Sequence, residues 1–476
     1  MSATTAPYLQ RAAQAVRRCP AQPPRLGTSS GSLRAVTSIA ADASRSADSS
    51  SLPRPANGEW TYNASPAIQD NLVTAGRYQF AVWVDERRHP VVARRLRTSA
   101  KWEHYDLARV PGNPLNAPTA EDGHNFYSLA VDSRGYLHLS GNHHADPLNY
   151  IRSTRPWDIT SWRAASVVGA NEDVVTYPKF LQLPNRTLFF LYRDGSPGNG
   201  DTYLSRYDAQ TQRWRRLHKL VDGKSDGLNF YPNHVSTRDG QIHIMGVWRG
   251  NDGAHTNRDV TYFRSADGGQ TWSHADGKRQ PVPVRIGNAD IALETPATSS
   301  GLLNGGGLEV DTKGWPHGAL MMYDSRGRTQ QFHIWHDGRR WHHDPVTTLT
   351  HRMKFEGGFT DNRIGHPSVI TSRRGDVYVL YRAQERGDVL RAVDVTPGRK
   401  RCEMTLPVES ALDFWNPVFD TWALYAYNRV SLLVVPTGHP QDPVVSQHLD
   451  DWQSVPATVT TFGFDDFERA ARSACD

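Results

Sequence analysis

The sequence predicts an all-β protein, a seven-bladed β-propeller preceded by a disordered N-terminal leader, and three observations carry that prediction. From about residue 60 the chain is a series of short alternating or apolar runs rich in Val, Ile, Tyr, Phe and Trp, broken by Gly, Asn, Asp and Pro turns, which is strand chemistry. A turn residue followed by an apolar run recurs at Gly76, Gly135, Asn185, Gly240, Gly314, Gly375 and Asn428, at intervals of 59, 50, 55, 74, 61 and 53 residues. An indole follows 24–32 residues later at Trp102, Trp162, Trp214, Trp272, Trp341 and Trp452, with only the sixth unit lacking one. Two markers kept in register are the sign of four-stranded sheets repeated around one axis.

The leader spans residues 1–57 and is rich in Ser, Ala, Arg and Pro. It lacks the apolar stretch of a secretory signal, so the sequence as written shows no export signal. It holds seven Arg, no Lys and two Asp, which accounts for 7 − 2 = +5, the whole formal net charge of the chain. Residues 58–476, the expected propeller, are therefore formally neutral, and a diffuse basic surface for nucleic acid is excluded. No apolar run reaches the ~18–20 residues of a membrane span.

Within the propeller, the fourth unit carries an Asp-box, Ser265-Ala266-Asp267-Gly268-Gly269-Gln270-Thr271-Trp272, a turn held by side-chain to backbone bonds that says nothing about chemistry. A single helix is expected, Asp465–Ala474. Cys19, Cys402 and Cys475 cannot build a disulfide framework. Free buried thiols are expected, with a Cys402–Cys475 bridge as the alternative.

In a blade the first strand runs along the channel and the second returns antiparallel, so the start of the first and the end of the second share a face. If each marker is the turn between them, residues eight to eleven before it or seven to ten after it meet at one mouth. Before the markers stand His124, Tyr177, Tyr231, His366 and Asp420; after them stand Asp85, His143, His144, Arg193, Arg249, Asp324 and Arg382. Units two to four thus supply histidines, tyrosines and arginines to one sector, while the carboxylates come from the other units.

Such a sector suits binding and neutralising a carboxylate, whereas a glycoside hydrolase wants two flanking carboxylates. Abstracting the C5 proton of a uronic acid needs its carboxylate neutralised, because the enolate-like intermediate gathers two negative charges on one group. A Tyr or neutral His can take the proton, and a Tyr or His can protonate the leaving O4. Each residue also has a plainer reading: His124 bonding a neighbouring blade's backbone, Tyr177 packing before Pro178, and Arg193 pairing with Asp194. The histidines of unit five, His317, His333, His336, His342 and His343, form no compact metal motif, since His333 and His336 fall on opposite faces of a strand.

The runs DGHNFYSLAVDSRGYLHLSGNHHADPLNYIRS, VVTYPKFLQLPNRTLFFLYRDGSPGNGD and NFYPNHVSTRDGQIHIMGVWR resemble the BNR-repeat family that includes seven-bladed-propeller ulvan lyases and rhamnosyl-glucuronate lyases. The resemblance covers roughly residues 60–450. It implies a polysaccharide lyase that cleaves at C4 of a uronic acid by β-elimination in a rhamnose–uronate glycan such as ulvan. His124 and Tyr177 would be the acid/base pair, with the base left open between them, and His143, Arg193 and Tyr231 would neutralise the carboxylate. His144, Asn125, His234, Arg249, Asn199 and His366 are further candidate substrate contacts. Two departures stand out: the His143-His144 pair, where spacing favours His143, and Pro197 within a turn usually rich in Gly and Ser. The resemblance further implies a secreted or periplasmic monomer acting on an anionic polysaccharide without an organic cofactor; a structural metal ion is possible, and no ligand set names one. The competing functions are an Asp-box exo-glycosidase of the sialidase kind, with an Arg193, Arg249 and Arg382 clamp, and a non-catalytic sugar-binding propeller.

Overall fold

A computed structural model describes residues 34–35, 48–51, 63, 70–434 apart from short gaps, and 458–475. The described part falls within one compact unit, Ser32–Asp476. Sheets of four or more strands follow one another along the chain, with first strands Leu72–Ala75, Tyr127–Val131, Val175–Gln182, Asn229–Ser236, Gly306–Val310, Ser368–Thr371 and Val418–Phe419. We number these sheets one to seven. The hairpin Phe355–Glu356 with Phe359–Thr360 stands apart from them. In each sheet the second strand pairs antiparallel with the first. The first strands of sheets one and two, two and three, four and five, and five and six lie against one another, the arrangement of a β-propeller.

All seven marker turns lie between the first and second strands of these sheets. The reason is conformational: Gly76, Gly135, Gly240, Gly314 and Gly375 have φ between 58° and 89°, and Asn428 has 54°, values that Gly and Asn tolerate best. In the third sheet the strained position falls on Arg186, one residue after Asn185, with φ 63°. The indoles mark the fourth strands: Trp162, Trp272 and Trp341 begin one, Trp214 is second in Arg213–Asp222, and Trp102 precedes Glu103–Asp106. Trp452 lies outside the described residues. In the Asp-box turn Asp267 Oδ1 accepts from the amides of Gln270 (3.0 Å) and Thr271 (2.9 Å), while the Ser265 hydroxyl accepts from Gly269 at 2.8 Å.

Three expectations need correction or extension. The leader does not end at 57 as far as the sheets are concerned. Asp48–Ser51 pairs antiparallel with Thr458–Gly463 in the seventh sheet, and Arg34–Ala35 pairs parallel with the Cys402–Thr405 strand; a polar sequence can fill such places because an outer strand is held by backbone bonds. The disorder expected for the rest of the leader falls outside the described residues. Cys402 is disulfide-bonded rather than a free thiol, at the start of a strand against which the C-terminal helix lies. Helices number two among the described residues, α1 (Thr421–Tyr427) and α2 (Phe464–Cys475). α2 is the expected one. α1 is set by its ends: Asp420 accepts from Ala423 N at 2.9 Å and Asn428 closes it in a left-handed conformation. Neither helix is long and apolar enough to cross a membrane.

The first and seventh sheets meet through buried polar contacts. The Asp420 carboxylate accepts from Thr74 Oγ1 (2.5 Å) and Gln79 Nε2 (2.9 Å), and Gln79 also bonds Ser431 at 3.0 Å. Asp420 is thereby a structural acid, as are Asp85, tied to Arg87 at 2.8 Å, and Asp324, which accepts from the amides of Arg326 and Arg328 at 2.9 Å.

Candidate active site

The site grows from the third and fourth sheets. Thr176 stands opposite Arg193, and Asn229 opposite Arg249, so first-strand starts and second-strand ends share one edge. Both first strands then break register, between Thr176 and Lys179 and between Tyr231 and His234. Pro178 and Pro232 explain the breaks, since proline cannot donate to the ladder. At the first bulge Tyr177 adopts φ 58°, a left-handed conformation costly for an aromatic residue, and all the more so before proline. Strain of roughly 1–3 kcal/mol persists only where its surroundings impose it, and it concentrates at functional sites.

The bulges bring Tyr177 and Tyr231 together, ring centroids 5.6 Å apart, with Phe126 stacked on Tyr177 at 6.2 Å. The Arg193 guanidinium carbon lies 5.1 Å from the Tyr177 ring centre and 5.9 Å from that of Tyr231. Arg193 is 2% exposed. Its Nη2 donates to Thr176 Oγ1 at 2.9 Å, while Nε and Nη1 are buried with no partner. Asp194 does not serve it, being paired with Lys224 at 2.7 Å. A buried charge without a counter-ion costs several kcal/mol, so the fold keeps room here for an anion. Gly200 helps make that room, because a Cβ there would approach Arg193 Cδ to 2.9 Å.

Arg249 is fully committed instead. It donates to Asn257 Oδ1 (2.7 Å), to the Tyr231 hydroxyl (3.0 Å) and to Asn304. It therefore fixes the Tyr231 ring, which lies 4.4 Å from its guanidinium carbon. Asn257, Asn304 and Thr176 were not singled out from the sequence; nothing but the fold brings them here.

His124 stands in the turn before the first strand of the second sheet, its ring centroid 6.0 Å from that of Tyr177 in an edge arrangement. It stacks on His144 at 4.0 Å. Asp122 bridges the pair, one oxygen to His124 Nδ1 at 2.5 Å and the other to His144 Nδ1 at 2.6 Å. Both rings thus turn Nδ1 inward and leave Nε2 outward. Burial opposes ionisation of Asp122, but the hydrogen bonds from His124 and His144 prevail and hold it well below the usual carboxylate range. The outer edge of His124 is open while its surroundings are crowded. That desolvation outweighs the Asp122 bond and pulls the imidazole below its ordinary pKa. Tyr177 moves the other way: burial, then Tyr231, push its phenol up against the lowering pull of Arg193 and Arg249. The resulting pair is a neutral imidazole with a free lone pair beside a phenol that keeps its proton.

The other candidates are placed as follows. His143 is 1% exposed and donates Nδ1–H to Gly141 O at 2.8 Å, so its buried, unpartnered Nε2 is an acceptor. Asn125 is buried, with Oδ1 unpartnered. Asn199 is exposed and pairs with Ser196 across the two-residue turn Pro197-Gly198, where Gly198 has φ 70°. His234 is pulled far below its ordinary pKa by burial and then by the charges of Lys179 and His366. His366 bonds Gly305 O at 3.0 Å. Arg382 is ion-paired with Asp388 at 2.7 Å, so it is no third member of an arginine clamp.

Burial pushes His143 and His366 each down to about 4 from 6.5. The unfolded chain protonates first on acidification, so this stability is present above about pH 6.5, falls as pH drops, and is fully lost near pH 4, roughly 3 kcal/mol per histidine. Tm measured across that window should fall steadily; a flat Tm would show that these rings are not buried as described.

Among the described residues two groups of side chains lie close enough to hold a metal ion, Asp122 with His124 and His144, and Asp85 with His89 and Asp106. In the second, Arg87 already bridges both carboxylates at 2.8 Å. In unit five His317 and His333 bond each other at 2.9 Å.

Residues 78–349, more than half of the 476-residue chain, match the sequence pattern described as BNR repeat-containing family member. No curated protein matches the chain. Among solved structures, a polysaccharide lyase aligns over 86% of this chain and 92% of its own, at 13% identity and TM-score 0.63. An ulvan lyase aligns over 87% and 96%, at 14% identity and TM-score 0.61. An ulvan lyase bound to a repeat of glucuronic acid and rhamnose 3-sulfate aligns over 78% and 89%, at 15% identity and TM-score 0.59. At these identities the likeness is one of fold.

Proposed function

The chain belongs to the BNR repeat-containing family, and from that premise we propose that it is a polysaccharide lyase cleaving at C4 of a uronic acid by β-elimination, in a rhamnose–uronate glycan of the ulvan kind. Each of the seven sheets is read as one blade. The observation that carries the reading is Arg193, a buried guanidinium with two unpartnered nitrogens. The substrate carboxylate is the anion that completes it.

With the carboxylate on Arg193, the C5 proton passes to His124 Nε2, whose ring Asp122 orients through Nδ1. The C5–H electron pair becomes the C4–C5 double bond as the C4–O4 bond breaks, and the Tyr177 hydroxyl protonates the departing O4. His124 then carries one extra proton and Tyr177 lacks one, and transfer between them through solvent restores both. The pKa directions favour this assignment over the reverse, because His124 is neutral and Tyr177 protonated at rest. Tyr231, held by Arg249, supplies a second donor for the negative charge that gathers on the carboxylate. His143, as an acceptor, is better placed to hold a substrate hydroxyl than to neutralise an anion.

Incubating the protein with ulvan, gum arabic and other rhamnose–uronate polymers should raise the ultraviolet absorbance of an unsaturated uronate. New reducing ends without that absorbance would replace elimination by hydrolysis. No cleavage of any polymer, with binding retained, would favour the sugar-binding propeller.

A further inference from the structure

We propose a second polysaccharide-binding site, an arginine groove at the far end of the third sheet. It rests on the lyase reading above, as it takes another stretch of the same anionic chain. The groove has a volume of about 560 Å³ and is lined by Arg186, Arg206, Arg213 and Arg215, with Asp208 the one acid among its lining residues. The Asp208 carboxylate is turned to the local backbone, accepting from the amides of Gln210 (2.8 Å) and Thr211 (3.2 Å). Among the described residues Arg206, Arg213 and Arg215 make no ion pair, and Arg186 Nη1 is buried without a partner.

Strand register adds an independent observation. Arg206 stands directly opposite Arg215 on neighbouring antiparallel strands. Like charges so placed destabilise a sheet, and a local cost with no gain in the fold marks a functional surface. Guanidinium groups in a row suit the sulfate and carboxylate groups of an acidic glycan. The groove is distinct from the site at Arg193. Leu188 lines it, and five residues along the same strand separate Leu188 from Arg193, about 17 Å at strand rise. A chain held here is kept near the site between cleavage events, which raises its local concentration.

The experiment compares retention of ulvan by Tyr177→Phe, in which turnover is expected to be strongly slowed, with the same protein carrying Arg206→Glu and Arg215→Glu. Polymer affinity should fall about tenfold or more at low ionic strength, with a shallower salt dependence. In the otherwise wild-type protein, the two groove substitutions should leave turnover of short oligosaccharides unchanged. Arg215→Glu alone sets a carboxylate opposite Arg206, so it should weaken retention while Tm holds or rises, which separates loss of binding from loss of folding. Equal retention in all variants overturns the groove. Displacement of ulvan by duplex DNA at lower charge concentration than by ulvan itself also overturns it, in favour of a nucleic-acid partner. If the wild-type protein forms no unsaturated product, the lyase reading fails, while the retention difference is still measured by itself.

Discussion

Arg193→Met is expected to remove polysaccharide cleavage while leaving Tm unchanged or higher. The two effects have one cause. Arg193 is 2% exposed, and only Nη2 has a hydrogen-bond acceptor, Thr176 Oγ1. Its contacts with the Tyr177 and Tyr231 rings recover roughly 0.5–2 kcal/mol each. Against that stands the several kcal/mol of an incompletely paired buried charge. A methionine keeps much of the stem's volume and contributes no charge, so the free protein loses little or gains up to a few kcal/mol. In the transition state the balance reverses, because two negative charges gather on the substrate carboxylate with no cation to receive them. Loss of a single oriented donor in such a site costs about 10²–10³ in kcat, and a cation should cost at least that. Steady-state kinetics with ulvan and a thermal melt test both halves together. Activity within tenfold of wild type would remove Arg193 from the site. A Tm drop comparable to a core truncation would show that the charge is compensated in the free protein.

Tyr177→Phe is the second large effect, a fall in kcat of about 10²–10⁴ with KM little changed. The substitution deletes one hydroxyl. The ring stays between Phe126 and Tyr231, and the backbone stays at φ 58°, so neither packing nor strain should change. A loss confined to kcat separates a proton donor from a packing residue; unchanged kcat would show Tyr177 to be the aromatic before a proline that the sequence also allowed. Binding by this variant should persist, since the arginines around it remain.

Much of this site was legible in the sequence because its signals are backbone signals. Glycines at positive φ announce turns, turns fix strand direction, and direction decides which residues share an edge; Tyr177 and Arg193 on one edge of the third sheet follow from that chain of reasoning. The bulges were half-legible as Tyr-Pro pairs, though the left-handed conformation of Tyr177 was not. Asp122 was missed although it stands two residues before His124. Its role depends on His144 arriving from 22 residues away, and no periodicity encodes that. Asn304 was hidden for the same reason, 55 residues from its partner Arg249. The Asp48–Ser51 strand, sequence DSSS, offers no apolar pattern. α1 is not among the helices expected from the sequence, because its seven residues carry too few turns for a helical period to emerge.

The pairing of Asp48–Ser51 with Thr458–Gly463 makes the seventh sheet a latch between the two ends of the chain. Persistence of such a ring is a matter of rate rather than of summed contacts. If the short N-terminal strand peels away, Thr458–Gly463 becomes an open edge, the state from which chains pair with one another. Protection of that edge thus rests on four residues with the plainest of sequences, Asp48–Ser51. Trimming of the leader that reaches Asp48 is expected to shorten the half-life of the folded protein in a thermal-inactivation assay without touching the proposed catalytic groups.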